Sequence, residues 1–142
     1  MVDKVNIETP QLIHELGFLF MNHNKTTRFD LDERTACFGE AVIDFVRTLS
    51  KNAVMTILVD QFIRAATSVG ANYAEADGAE SKKDFRHKIA LCKKEAKEAR
   101  HWMRMIARAD PDHTKTCREL WSEAHELTLI FSAILRNSSR SS

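Results

Sequence analysis

The sequence predicts an all-α domain folded as an up-down-up-down four-helix bundle. Three observations carry this expectation. The 142 residues include only four Gly and two Pro, too few for the many tight turns of a β-sandwich. Four long stretches repeat apolar side chains at the three- and four-residue spacing of an amphipathic helix. The breaks between them are short and rich in cap and turn residues, which favours antiparallel neighbours. At 44% hydrophobic and 29% charged residues, the chain has a globular rather than a disordered composition. Its length suffices to bury a core without staples.

Residues 1–28 read as an N-terminal extension. Within it, Leu12, Ile13, Leu16, Phe18, Leu19, Phe20 and Met21 follow Thr9-Pro10, and Pro suits a first helical position. The extension is expected to pack on the bundle or on a neighbouring subunit. The bundle itself spans residues 29–137, followed by a polar tail over 138–142. Its first helix is expected from Leu31 to Leu49, with Asp30 as N-cap, Asp32 and Glu33 complementing the positive helix end, and Leu31, Phe38, Val42, Phe45 and Leu49 on one face. The second is expected from Val54 to Ala76. Met55, Val59, Phe62, Ala66, Val69 and Tyr73 share its inner face. The run Ala65 to Ala71 is small throughout and contains Gly70, which predicts packing on more than one side. Asp77-Gly78 ends this helix, with Gly78 suited to a left-handed C-terminal position.

Ser81-Lys82-Lys83-Asp84 reads as a variant capping box opening a third helix that runs to Arg108. Phe85, Ile89, Cys92, Ala96, Ala99, Met103 and Ile106 form its core face. Asp110-Pro111 stops it and starts the fourth helix. There Leu120, Ala124, Leu127, Phe131 and Ile134 recur at a/d-like spacing, with Trp121, Thr128 and Leu135 alongside.

Charge is distributed very unevenly. Between Lys82 and Arg108 stand ten Lys/Arg against three acids, a net +7 in a chain whose total is +1. Winding the helix places Lys82, Arg86, Lys93, Lys97, Arg100, Arg104 and Arg108 within roughly 40° of one line. That line is about 39 Å long. Phosphates answer such a stripe by releasing counterions, so it predicts electrostatic binding of RNA or DNA; a merely solvated helix face is the plainer alternative. No aromatic residue interleaves with the line, which argues against base readout.

The acids of the third helix lie elsewhere. Glu95 and Glu98 fall well off the stripe, near Leu91 and Trp102. Arg64, opposite the core face of the second helix, is expected to pair with Glu95, Glu98 or Glu75. A di-metal bundle site needs Glu-x-x-His on two helices. Glu98-Ala99-Arg100-His101 supplies one copy, but Glu123-Ala124-His125 has the wrong spacing for a second. A metal-dependent enzyme built on Glu95, Glu98 and His101 is therefore the weakest reading. No phosphate-binding Gly loop, nucleophile elbow or His-Glu-x-x-His occurs. A non-enzymatic protein without cofactor or metal is expected. Cys37, Cys92 and Cys117 lie within helical patterns without ligand spacing, which predicts reduced thiols and a cytoplasmic protein. No apolar run approaches the ~18 residues of a membrane span, and no signal-peptide order is seen. Ile57 and Ala71, with Ile63 at the flank, turn apolar surface away from the core of the second helix and predict a subunit interface, with burial inside the bundle alone as the plainer alternative.

Several words of the sequence resemble one bacterial family. They are Asp30-Leu31-Asp32-Glu33-Arg34-Thr35 with Phe38, then Arg64 to Asn72, Glu75-Ala76, Ala79 to Phe85, His87 to Ala90, Lys94 to Glu98, and Trp102. Together they resemble the 23S rRNA intervening sequence proteins, also called S23 ribosomal proteins, over roughly residues 29–136. The resemblance implies a four-helix bundle and assembly as a homo-pentamer. Most members of that family have no established biochemical role. Some members of the family are encoded inside ribosomal RNA genes, and a related group assists diversity-generating reverse transcriptases through a basic ring surface. A protein partner such as a polymerase is the alternative that this suggests. The chain departs from the family pattern in its extension over residues 1–28 and in lacking a Pro between the first two helices.

Overall fold

The computed structural model describes residues 31–140, and the expected helix within residues 11–21 and the Asp30 cap lie outside them. Four α-helices make up almost all of the described chain: α1 Leu31–Val46, α2 Ala53–Asp77, α3 Lys82–Ala109 and α4 Thr114–Arg140, with a 3-10 turn at Pro111–His113 before α4. Pairs of touching residues fix the topology. Thr35 meets Gly70 and Gly39 meets Thr67; Arg64 meets Glu95 and Glu98; Arg86 meets Leu135 and Ser138; Arg34 meets Glu123. Second contacts set the direction: Glu75 meets Lys88, Arg100 meets Trp121 and Phe45 meets His113, so numbers rise along one helix as they fall along its neighbour, every adjacent pair is antiparallel, and the order is up-down-up-down.

The helix starts follow local chemistry. Asn52 holds an extended backbone, and its side chain accepts the Met55 N–H at 2.9 Å. Ser81 does the same for Asp84 N–H at 3.0 Å. Each satisfies one backbone donor that the first turn leaves unpaired. Three expectations need correction. The first helix ends at Val46 rather than Leu49, and the chain reaches buried Leu49 through tighter turns. Gly78 is not left-handed: its φ is −93°, and its N–H bonds back to Ala74 O. The polar tail begins later than expected, because α4 continues through Arg140. Arg86 explains the last point, since it donates to Leu135 O at 2.7 Å and to Ser138 Oγ and so ties down the final turns of α4.

The core is one cluster centred on Phe38, Phe62, Ile89, Met103, Ile106, Leu120, Leu127 and Phe131, all fully buried. Each comes from the apolar stripe of its own helix, which is how four amphipathic helices share one interior. Helix α2 packs against both α1 and α3, as its small residues require. Cys92 Sγ lies 3.5 Å from Val69 O, and burial pushes its thiol up to about 12. Burial likewise raises Cys117 to about 11, so both thiols stay protonated and pack as small apolar groups.

Helix α1 comes close to α2 at two glycines. A Cβ on Gly70 would stand 3.4 Å from the Thr35 backbone, and one on Gly39 would stand 3.7 Å from Thr67 Cα, an ordinary contact. Gly39→Ala is therefore expected to stabilise the fold by about 0.5–1 kcal/mol through helix propensity. Urea unfolding checks this; a lower midpoint would mean that α1 and α2 leave no room for a methyl group.

Candidate nucleic-acid interface

All seven stripe residues project along one side of α3, at its border with α4. Lys82, Lys97, Arg104 and Arg108 are exposed, while Arg86, Lys93 and Arg100 are half-buried. Their roles differ. Arg86 is spent on α4, as described above. Arg100 lies over the indole of Trp121, with its guanidinium carbon 4.4 Å from the ring centroid. Among the described residues none of the seven forms an ion pair, in contrast to Arg64 and Lys88 at the border of α2 and α3. The face thus keeps its full positive charge.

Helix α4 extends this face. Wound at 100° per residue, Arg118, Trp121, His125, Leu129, Arg136 and Arg140 share one side of it. His125 stacks on Trp121 with the rings 5.1 Å apart and 18° from parallel. A basic face with a two-ring aromatic centre results. The line on α3 itself carries no interleaved aromatic residue; the rings flank it from α4. The rings belong to the neighbouring helix, so a reading of α3 alone missed them. Two hollows mark the face. One, of about 570 Å³, opens between Lys82, Lys83 and Arg86 on α3 and Ser138 and Ser139 on α4. The other lies beside Trp121 and Arg104, about 27 Å further along α3 at 1.5 Å per residue.

The acidic residues sit on the opposite flank of α3, against α2. Arg64 donates to Glu95 at 3.3 Å and to Glu98. Glu75 instead receives Lys88 Nζ at 2.6 Å. Burial works against ionisation of Glu98, but hydrogen bonds from Arg64 and from Trp102 Nε1 outweigh it and hold the carboxyl below its usual range. Both carboxylates therefore meet a guanidinium. Among the described residues no three His, Cys, Asp or Glu side chains gather as metal ligands, and no helix is long and apolar enough to cross a membrane.

The predicted interface residues lie on α2. Ile57 is 66% exposed and has Val54 at 60% nearby. Ala71 is exposed and Ile63 half-buried. A groove of about 580 Å³ is lined by Ile57 and Ile63 with Val46, Leu49, Met55 and Val59, and by polar residues including Lys51 and Asp60; Ala71 is not among its lining residues. Sequence reasoning missed one charged pair, Arg34 with Glu123, which is buried between α1 and α4.

Fold and face together define an all-α four-helix bundle with a basic, partly aromatic surface. The chain belongs to the 23S rRNA-intervening sequence protein family, whose model matches residues 30–133. Its fold is similar to that of a crystal structure from Bacteroides thetaiotaomicron, a protein of unknown function from the S23 ribosomal protein family. The TM-score is 0.66 at 21% identity, covering 74% of this chain and 97% of that one. No curated protein matches the sequence.

Proposed function

We propose that this protein is a non-enzymatic, cytoplasmic homo-oligomer, a pentamer, that holds RNA or DNA electrostatically through the α3–α4 face. The observation that carries the reading is the set Lys82, Lys93, Lys97, Arg100, Arg104 and Arg108, joined by Arg118, on one face with no ion-pair partner among the described residues. Ordinary solvated helix faces intersperse acids with bases; here the acids are on the other flank. A polyanion would bind this face through the release of its own counterions. Oligomer formation is supported by the exposed Val54 and Ile57 beside an apolar groove, since isolated soluble subunits rarely present such patches without use.

Light scattering, followed by filter binding to RNA and DNA at two salt concentrations, tests both parts. The expected mass is five times the 16.2 kDa subunit, and the expected binding weakens steeply with salt. A monomer would remove the assembly, and absent or salt-insensitive binding would remove the nucleic-acid reading. A second reading, a protein partner such as a polymerase meeting the same face, is favoured by the exposure of Leu129 and Trp121 among the bases. A pull-down that survives nuclease would support it.

A further inference from the structure

Between α3 and α4 lies a slot of about 260 Å³. Met103, Ala107 and Cys117 contribute its apolar lining, Trp121 an aromatic surface, Thr114 a hydroxyl, and Arg104 and Arg118 two positive charges. Both arginines are exposed, and neither forms an ion pair among the described residues. Trp121 keeps 37% of its surface open although Arg100 and His125 pack on it. Arg100 Nε and His125 Nδ1 are the buried side-chain polar atoms that lack a hydrogen-bond partner among the described residues. Both belong to side chains touching this one indole. Folding alone gives no reason to collect unmatched polar atoms around one exposed aromatic ring, and such clusters call for an explanation in function.

We infer that the slot takes an unpaired nucleobase, so that the basic face binds single-stranded rather than duplex nucleic acid. This rests on the nucleic-acid reading above and adds the form of the ligand to it. The slot's apolar lining and the part of the Trp121 indole left open suit a flat base, and every base has a π-face. The two free guanidiniums suit the phosphates on either side of that base. In a duplex the bases are stacked on one another and cannot enter. The remaining stripe, from Lys97 back to Lys82, then carries the backbone of the same strand. Binding should therefore tolerate changes of sequence but not removal of the bases.

The test uses the full-length protein and three fluorescent probes: oligothymidylate, an abasic deoxyribose-phosphate chain of equal length, and a duplex of that length. Anisotropy titrations at one low salt concentration give the affinities. The wild type is expected to prefer oligothymidylate over the abasic chain by about tenfold, within the range of one aromatic–base stack. Trp121→Leu should erase that preference, so that oligothymidylate and the abasic chain bind this variant equally. Trp121→Phe should restore part of it, and Trp102→Phe should leave it intact. Equal affinity of the wild type for all three probes would overturn the slot assignment and leave the charge reading standing. So would a preference that survives Trp121→Leu. Failure of the wild type to bind any of the three would overturn both readings together.

Discussion

Glu123→Ala is expected to lower the unfolding free energy by about 3 kcal/mol, measured by urea denaturation at neutral pH. The carboxylate is 4% exposed and the Arg34 side chain 9%. They meet through two parallel bonds, Nε to Oε1 at 2.7 Å and Nη2 to Oε2 at 3.0 Å. Removing one partner of such a pair strands the other charge in the interior, which costs about 3–5 kcal/mol. The lower end applies here because Glu126, 45% exposed, still lies 3.2 Å from Arg34. The geometry is bidentate, and Lys at position 34 offers only a point charge, so Arg34→Lys should also destabilise. The double variant Arg34→Met with Glu123→Leu separates the pair from its burial. It should recover most of the loss, because two apolar groups need no partner. A loss below about 1 kcal/mol for Glu123→Ala would place the pair among surface bridges. The effect should be large for a second reason: α1 and α4 touch over far less surface than the other adjacent helices, and this pair is their chief polar tie.

The second large effect concerns binding. Reversing Lys97, Arg104, Arg108 and Arg118 to Glu is expected to weaken RNA or DNA binding by at least about a thousandfold at low salt. A protein with six to ten phosphate contacts loses about that much or more between 50 and 200 mM salt. Reversing four exposed charges removes four such contacts and adds four repulsions. All four side chains are exposed, so the fold should survive; circular dichroism and thermal unfolding check this. Arg86 and Arg100 are left in place because they pack on α4. The dependence of log affinity on log salt should flatten as well, by roughly 0.7–0.9 for each phosphate contact removed. Unchanged binding in the quadruple variant would show that the polyanion, if held, is held elsewhere.

The bundle was largely legible in the sequence because its signals are local. Helical spacing placed Phe38, Phe62, Ile89 and Phe131 in the core, and Ser81 announced the start of α3 through a hydroxyl three residues before a backbone donor. The interface was only half legible. The stripe on α3 follows from winding one helix, whereas Trp121 joins it from 21 residues beyond Arg100, across an antiparallel turn. No periodicity within one element reports that meeting. Arg34 and Glu123 were hidden for a different reason. A charged residue at the edge of a polar face reads as solvated, and only the partner helix decides otherwise. Gly78 misled because glycine permits a left-handed backbone without requiring it.

The contact between Arg100 and Trp121 has a kinetic consequence. A carboxylate would have ordered the guanidinium but cancelled its field; an indole orders it and leaves the charge whole. Any approaching polyanion therefore meets a potential that is both strong and fixed in direction. Such surfaces capture opposite charges faster than random collision allows. Under the proposed function, the indole would hold the Arg100 charge in place for an arriving polyanion.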